Sequence, residues 1–272
     1  MAVFDNLLLR YCPSLDTTGD GTTTCHQLDG AGAVVASGAH MTLTNMELSD
    51  WVVDTTTGGT KALDLDGSNE YLISSSTTAG NLGTSNATIM LHAKITNASR
   101  YAVLVCKRNT SYPFKMWTVN QGSVNSGGGA DASKKIGVFW YNGGTLTSVD
   151  AMSYATVDDV VDGNWHHIAV VRTSGSAPKI YIDGVDKTLT AIIAGTANFD
   201  GDNSIQTQIG RSSAASGYTP MRFDDLMIFN AAKSGADIAT LAAKRGYLDT
   251  TVDFDSSMSG GMSGAMTGGM AT

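Results

Sequence analysis

The stretch that decides the fold runs from Asp162 to Lys187 and reads DGNWHHIAVVRTSGSAPKIYIDGVDK. Residues 167–172 form a run rich in apolar, β-branched side chains, residues 173–178 are turn formers, and residues 179–182 resume an alternating pattern. Asp183-Gly184 follows at once, and this dipeptide favours a type I′ turn because both of its residues tolerate positive φ. The stretch therefore predicts a meander of at least three antiparallel strands.

Runs of the same kind recur along the whole chain. They predict strands at 4–11, 41–44, 51–53, 88–95, 101–107, 114–119, 136–141, 188–193 and 221–230, and a strand–turn–strand unit at 62–73. After the last strand, Ser234 and Asp237 have the spacing of an N-terminal capping box. Ile238 and Leu241 then supply the apolar stripe of a short helix.

Several of these stretches resemble the signatures of the laminin-G-like, concanavalin-A-like lectin family. The motifs are DGNWHHIAVVR with KIYIDG in the opening stretch, ALDLDGSNEYL at 62–72, and MRFDDLMIFN at 221–230, in the family's order. The resemblance covers about residues 60–246. It implies an all-β fold, a two-sheet antiparallel jelly-roll sandwich with a short helix near the C-terminus.

We expect one jelly-roll domain over residues 1–254, with residues 1–59 supplying its first strands. Residues 255–272 form a Gly/Ser/Met-rich tail whose five glycines disfavour an isolated helix. Its methionines recur at every fourth position: Met258, Met262, Met266 and Met270. Because methionine adapts to irregular apolar grooves, we expect this tail and the N-terminal arm to dock on a neighbouring subunit.

The composition limits the partners. A formal net charge of −8 argues against nucleic acid, since phosphate binding needs a basic surface. No apolar run approaches the ~20 residues that cross a bilayer, and the first residues lack the features of a secretory signal. Of three cysteines, Cys12 and Cys25 are the one pair worth testing as a disulfide, which leaves Cys106 over; free thiols are favoured.

Catalysis is not expected. His166 and His167 point to opposite faces of a strand and cannot act on one ligand together. The paired glutamates of jelly-roll glucanases, E-x-D-x-x-E or E-x-D-x-E, are absent, because Glu47 and Glu70 are the only glutamates. The sequence therefore predicts a non-enzymatic protein, with a glycoside hydrolase as the remaining alternative.

The resemblance implies a Ca²⁺ site, since many members of the family hold one ion through aspartates and backbone carbonyls. Asp66 and Asn69 in the DGSNE turn are candidates, together with one of Asp224 and Asp225, of which we take Asp225. Neighbouring residues of a strand face opposite ways, so only one of the two aspartates is expected to serve. The alternative is that Asp66 makes an Asx turn and the strand aspartate caps loop N–H groups.

Glycan binding needs aromatic side chains on loops or on an open sheet face. The candidates are Tyr112, Trp117, Trp140, Tyr141 and Tyr218, and the alternative is that they serve only in packing. Laminin-G-like domains also decorate virions of tailed bacteriophages. The composition and tail resemble those of such virion proteins, which implies a structural or decoration protein of the capsid or tail surface, made in the host cytoplasm, with other virion subunits or its own copies as partners and glycans as a further partner. The alternative is an extracellular carbohydrate-binding or adhesion module.

Overall fold

Alternation of buried and exposed side chains builds two antiparallel sheets in the computed structural model. It describes residues 3–18, 21–82, 86–96, 102–107, 115–121, 136–142, 151–155, 160–174, 176, 178–187, 189–193, 205–211 and 218–248. The predicted tail with Met258, Met262, Met266 and Met270 lies outside this part of the chain.

The strands of the described residues follow one another in this order: β1 (Leu7–Tyr11), β2 (Thr24–Cys25), β3 (Met41–Thr44), β4 (Trp51–Val53), β5 (Lys61–Asp66), β6 (Tyr71–Ser74), β7 (Ala87–Ile95), β8 (Ala102–Lys107), β9 (Lys115–Gln121), β10 (Ile136–Asn142), β11 (Ala151–Ala155), β12 (Trp165–Arg172), β13 (Lys179–Ile182), β14 (Val185–Lys187), β15 (Leu189–Ile193), β16 (Gln208–Ile209) and β17 (Pro220–Phe229). Short 3-10 turns lie at Leu48–Asp50 and Thr56–Gly58, and one α-helix, α1, spans Gly235–Ala242.

The two sheets form a sandwich. The eight-stranded sheet has the order β14-β13-β12-β7-β17-β5-β4, with β1 paired to β17. The nine-stranded sheet has the order β15-β11-β10-β9-β8-β16-β6-β3-β2. Strands distant in sequence therefore lie side by side, and the predicted antiparallel jelly-roll architecture is confirmed.

The predicted meander is confirmed as β12, β13 and β14. Ile168 pairs with Ile182, and the turn that follows has φ of 52° at Asp183 and 78° at Gly184. Positive φ at both central residues is what a type I′ turn requires. The Asp183 carboxylate also accepts a hydrogen bond from the backbone N–H of His167 (2.8 Å), which fixes the turn against β12.

One face of each sheet supplies the main apolar core between the sheets. On β7 the side chains of Ile89, Leu91, Ala93 and Ile95 all belong to it, as the alternation predicts. The opposite face of the eight-stranded sheet is covered by the N-terminal segment and by α1, which bury a second apolar cluster around Met90, Met227, Phe229, Ile238 and Leu241. The smaller sheet is therefore buried on both faces over part of its area.

The predicted capping box at the start of α1 is confirmed. The Ser234 hydroxyl accepts a hydrogen bond from the Asp237 N–H (3.1 Å), and the Asp237 carboxylate accepts one from the Ser234 N–H (3.3 Å). The two bonds satisfy donors that a helix start leaves without intrahelical partners. The cap thus sets where the helix begins on the sheet.

Two local predictions need correction. The first strand begins at Leu7 rather than Phe4, because Asn6 adopts φ of 64° and breaks the extended run. In β17 the register shifts between Asp224 and Met227, and Asp225 has φ of 48°. This β-bulge breaks the simple alternation, so Asp224 and Asp225 do not face opposite environments as a regular strand would require.

Candidate functional site

Three of the five predicted aromatic residues lie on neighbouring strands of the nine-stranded sheet. Tyr112 lies outside the described residues. Trp117 and Trp140 lie opposite each other in the register of β9 and β10, and Tyr141 lies opposite Met116. Tyr218 comes just before β17 and is half-buried. Of these five residues, Tyr218 is the one whose side-chain surroundings the structure describes.

Tyr218 belongs to a three-residue cluster, here called the aromatic platform, with Tyr71 and Arg211. The rings of Tyr71 and Tyr218 have centroids 6.2 Å apart at 44°, and the Arg211 Cζ lies 3.9 Å from the Tyr71 centroid. All three side chains are half-buried. Tyr71 and Arg211 were not predicted as site residues.

Local structure explains how the platform forms. Leu72 points into the core between the sheets, so its neighbour Tyr71 faces outward from the nine-stranded sheet. Arg211 follows Gly210, whose φ is 78°, and an added Cβ there would clash with Leu65 Cδ2. Thr219 donates its N–H to the Gly210 carbonyl (2.9 Å), which ties the Tyr218 segment to the Arg211 segment. Position 210 therefore requires glycine.

The guanidinium of Arg211 has unused hydrogen-bonding capacity. Its Nε is buried without a partner, and among the described residues no side-chain hydrogen bond or ion pair involves it. An arginine has five N–H donors in a fixed planar arrangement. The cluster thus combines two aromatic faces with donors that are free to meet a ligand.

The predicted calcium ligands are not brought together. Asp66 Oδ1 accepts the N–H groups of Ser68 (2.7 Å) and Asn69 (3.4 Å), which is the Asx turn of the alternative interpretation. Asp66 pairs with Pro220 in the sheet, and Asp225 lies five residues further along β17, about 15 Å away at ~3.3 Å per residue. The part of the chain that the structure describes contains no group of three or more His, Cys, Asp or Glu side chains able to hold a metal. Calcium binding stays a prediction, to be tested by calorimetric titration of the chelator-treated protein.

Asp225 is instead the acceptor of a fully buried ion pair. Arg10 Nε donates to Asp225 Oδ1 (2.8 Å) and Arg10 Nη2 donates to Oδ2 (3.0 Å), with both side chains 0% exposed. The Gly246 N–H also donates to Oδ2 (3.0 Å), and Arg10 Nη2 donates to the Tyr247 carbonyl (2.7 Å). The carboxylate therefore links the first strand to the segment after α1.

Asp224 forms the second half of the same buried cluster. Its carboxylate accepts hydrogen bonds from the N–H and hydroxyl of Ser14 and from Arg245 Nη1 (3.2 Å). Burial raises the pKa of Asp224 to about 6, and the adjacent Asp225 carboxylate adds to this rise. The guanidinium of Arg245 also stacks on Trp165, with its Cζ 3.9 Å from the ring centroid. Trp165 of the opening stretch thus packs in a structural cluster.

Asp54 completes this cluster at the edge of the sheet. It accepts from Trp165 Nε1 (3.1 Å), Arg245 Nη2 (3.2 Å) and Arg222 Nη1 (3.3 Å). Burial alone would raise the pKa of Asp54, but hydrogen bonds from Trp165 and Thr56 and the charge of Arg245 outweigh it and lower the pKa to about 2. The ion pairs here connect four separate segments of the chain.

The adjacent histidines lie on opposite faces of β12, as predicted. His166 contacts Asp183 (Nδ1 to Oδ2, 2.8 Å) and Asp162 (Nε2 to Oδ1, 3.2 Å), and these carboxylates raise its pKa. His167 is buried beside His92, with ring centroids 4.8 Å apart, and burial holds its pKa well below the usual range. The pair shares no common ligand position.

The three cysteines are buried, and Cys12 and Cys25 form no disulfide in the structure. Burial raises the pKa of both Cys12 and Cys25 well above the usual range. Among the described residues, no helix has the length and apolar character needed to span a bilayer.

Comparison with known families gives one match. The sequence model described as "Concanavalin A-like lectin/glucanases superfamily" matches residues 66–239. The chain belongs to this superfamily. The match includes the DGSNE turn, the opening stretch at 162–187 and the closing strand, so the resemblance read from these motifs is confirmed. Comparison with curated protein sequences finds no match.

Solved structures show the same fold at low sequence identity. The binding domain of Paraclostridial Mosquitocidal Protein 1 is 14% identical with a TM-score of 0.56, over 89% of this chain and 52% of that one. Domain 4 of AbnA, an extracellular arabinanase of family GH43 from Geobacillus stearothermophilus solved with arabinotriose, is 14% identical with a TM-score of 0.56, over 87% and 98%. A sialidase of Trypanosoma rangeli is 11% identical with a TM-score of 0.54, over 88% and 32%. The chain thus spans about half the length of the first of these and nearly all of the arabinanase domain.

Proposed function

We propose that this protein is a non-catalytic glycan-binding module that holds a sugar on the aromatic platform of Tyr71, Arg211 and Tyr218. The observation that carries the proposal is the Arg211 guanidinium, which lies on a tyrosine ring and makes no hydrogen bond to a described residue. The Nη atoms of Arg211 also make no hydrogen bond to a described residue and, unlike Nε, are not buried, so the hydroxyl oxygens of a ligand can accept hydrogen bonds from them.

The chemistry of the platform matches that of a sugar ring. A pyranose has an apolar C–H face, which can pack on an aromatic ring, and hydroxyl oxygens at its edge, which accept hydrogen bonds from arginine. Binding sites generally combine apolar or aromatic surface with a few polar groups that fix orientation. Two rigid tyrosines provide that surface at low cost in side-chain entropy. The arabinotriose bound to the AbnA domain shows that this fold supports such a use elsewhere.

Binding to an array of immobilised oligosaccharides, with arabinotriose among the neutral probes, tests the proposal. Tyr218→Ala should weaken binding of the best probe by about 10-fold or more, because stacking on an aromatic face contributes on the order of 1–2 kcal/mol. Tyr218→Phe should retain most of the affinity, since it keeps the ring. Arg211→Gln should also weaken binding, since it removes the unused donors.

Val53→Ala provides the control, because Val53 is 84% exposed on the edge strand β4 of the other sheet. It should leave every affinity unchanged. A wild-type protein that binds no probe on the array, or a Tyr218→Ala variant that binds as well as the wild type, would refute the assignment.

Display on a virion is a second candidate, and it rests on the sequence alone. The methionines that recur every fourth residue in 255–272 suit docking in the apolar groove of a neighbouring subunit. Deleting residues 255–272 should then abolish incorporation into particles while the thermal unfolding of the domain stays unchanged. Particles that incorporate the shortened chain normally would exclude this role for the tail. A virion-displayed module and a free extracellular one bind glycans by the same platform.

A further inference from the structure

A cavity lined by polar and charged side chains lies on the outer face of the eight-stranded sheet. It has a volume of about 390 Å³ and is lined by Asp64, Leu65, Asp66, Lys94, Thr96, Pro220, Met221 and Arg222. This cavity is called the strand-end pocket below. Its volume lies near the lower limit for small-molecule sites, which suits a single sugar residue.

The register of three strands explains how the pocket forms. In β7, β17 and β5, Lys94 pairs with Arg222 and Arg222 pairs with Asp64. Two residues away along β17 and β5, Pro220 pairs with Asp66. Because adjacent strands are ~4.8 Å apart, the backbones of Lys94 and Asp64 are separated by about 10 Å across Arg222. Residues two apart share a face, so both rows lie on the outer face of the sheet.

The charges in the pocket are unequally satisfied. Arg222 Nε donates to Asp64 Oδ2 (3.0 Å) and its Nη1 donates to Asp54 (3.3 Å), so its charge is balanced. Lys94 makes no ion pair or hydrogen bond with any described residue, although it is half-buried. Asp64 uses Oδ2 for Arg222 and accepts no hydrogen bond at Oδ1 from the described part of the chain. The pocket therefore places Lys94, which has no partner among the described residues, beside the carboxylates of Asp64 and Asp66.

We propose that the strand-end pocket binds the carboxylated sugar residue of an acidic oligosaccharide, with Lys94 paired to the uronate carboxylate and Asp64 and Asp66 accepting hydrogen bonds from its hydroxyls. A uronate suits this arrangement because it carries one negative charge and several hydroxyl donors on one ring. A phosphate group suits it less, since its second charge would face two aspartates. This inference rests on the proposed function, because it makes the pocket a neighbouring subsite for the glycan on the platform.

The pocket and the platform lie at the same end of the sandwich. Tyr218 of the platform precedes Pro220 of the pocket by two residues, about 7 Å of extended chain. On the other side, Asp66 and Tyr71 are joined by the turn between β5 and β6. The platform faces out from the nine-stranded sheet and the pocket from the eight-stranded sheet, so an oligosaccharide contacts both by passing around this end of the sandwich. Joining two weak subsites in one ligand raises the overall affinity without any new contact.

Calorimetric titration of the full chain with trigalacturonate and with its fully methyl-esterified form tests the inference, because the two probes share their sugar rings and linkages and differ at the carboxyl groups, which are charged in one and esterified in the other. The wild type should bind trigalacturonate about 10-fold more tightly than the ester, the effect expected of a charge-assisted hydrogen bond. Lys94→Gln should remove this preference by weakening the acid about 10-fold and leaving the ester unchanged. Lys94→Arg should restore most of the preference.

Lys179→Gln is the matched control, since it also removes one positive charge but lies on β13, paired with Asp186 and 60% exposed. It should change neither affinity. Equal wild-type affinity for the two probes, equal losses for both probes in Lys94→Gln, or no binding of either probe by a protein that binds neutral glycans would overturn the inference and leave the platform intact. Acid-selective binding that Tyr218→Ala leaves unchanged would overturn the platform but keep the pocket. Binding to no glycan at all would overturn both.

Discussion

At the scale of single residues, Asp225 shows how a sequence position can resemble a ligand site and serve another purpose. It has positive φ in a β-bulge, is fully buried, and receives two hydrogen bonds from one guanidinium. A bidentate arginine–carboxylate pair is strong and geometrically specific. The charge of Asp225 is already balanced by Arg10, and the residue pattern of the closing strand alone does not reveal this pairing.

Asp225→Asn should destabilise the fold by about 3 kcal/mol, because removing one partner of a buried ion pair leaves the other charge uncompensated. Asparagine tolerates positive φ, so the loss reports on charge and not on backbone strain. Urea unfolding monitored by tryptophan fluorescence measures it. Asp186→Asn breaks the exposed pair with Lys179 and should cost less than about 1 kcal/mol. Similar losses in the two variants would contradict the role assigned to the buried pair.

At the scale of elements, two buried histidines lie side by side on β7 and β12, and one of them reaches the last residue of α1. The described residues supply no hydrogen-bond partner for either ring nitrogen of His167, and His92 reaches only the Ala242 carbonyl at 3.4 Å. Burial lowers the pKa of His92 to about 4 and that of His167 further below its ordinary value of 6.5. Below pH 6.5 the unfolded chain binds protons that the folded chain does not. The free energy of unfolding therefore decreases as the pH is lowered below 6.5.

His167→Leu should remove part of this acid sensitivity. Replacing an unpartnered polar ring by an apolar side chain should leave the free energy of unfolding at pH 7.5 within about 1 kcal/mol of the wild type. At pH 5 the variant should be about 2 kcal/mol more stable than the wild type. The reason is that pH 5 lies ~1.5 units below the pKa of an unfolded histidine, so protonation stabilises the unfolded wild-type chain. Urea titrations across pH 5–8 measure the difference.

His166→Gln should show the opposite trend. The carboxylates of Asp183 and Asp162 raise the pKa of His166, so its contribution is present below pH 6.5 and is lost as pH rises through the folded-state value. This variant should therefore lose more stability at pH 5 than at pH 8. Parallel pH curves for the wild type and both variants would refute this account of the histidines.

Local patterns predicted the elements where each residue obeys a local rule. The Asp183-Gly184 turn, the Ser234 cap and the apolar face of β7 all follow from neighbours in sequence. The bulge at Asp225 does not follow from its neighbours in sequence, because it depends on a long-range partner, Arg10. Tyr71 carried a usable signal, since an aromatic residue beside a core leucine on a strand must face outward. Arg211 and Lys94 gave no such signal, because their interest lies in having no hydrogen-bond partner among the described side chains, which sequence neighbours do not reveal.

At the scale of the whole molecule, Arg245 holds the segment after α1 to the sandwich. It contacts Asp224, Asp54 and the carbonyl of Thr56 (2.9 Å), stacks on Trp165, and is fully buried. Arg245→Met should cost about 3–5 kcal/mol, because it strands the buried Asp224 carboxylate. Chemical unfolding measures the loss. Lys244→Met next to it is the control and should change stability by less than about 1 kcal/mol, since its side chain is exposed. Equal effects would show that the cluster contributes little.

The N-terminal segment of the described chain lies beside the far end of β17. Asn6 accepts the N–H of Asn230 just beyond the far end of β17, and the rings of Phe4 and Tyr247 lie 6.2 Å apart. The platform and the strand-end pocket lie at the other end of β17, about 30 Å away for ten extended residues. An attachment next to Asn6, whether to a particle or to another domain, would leave the end of the sandwich that carries the proposed glycan sites facing away from the point of attachment.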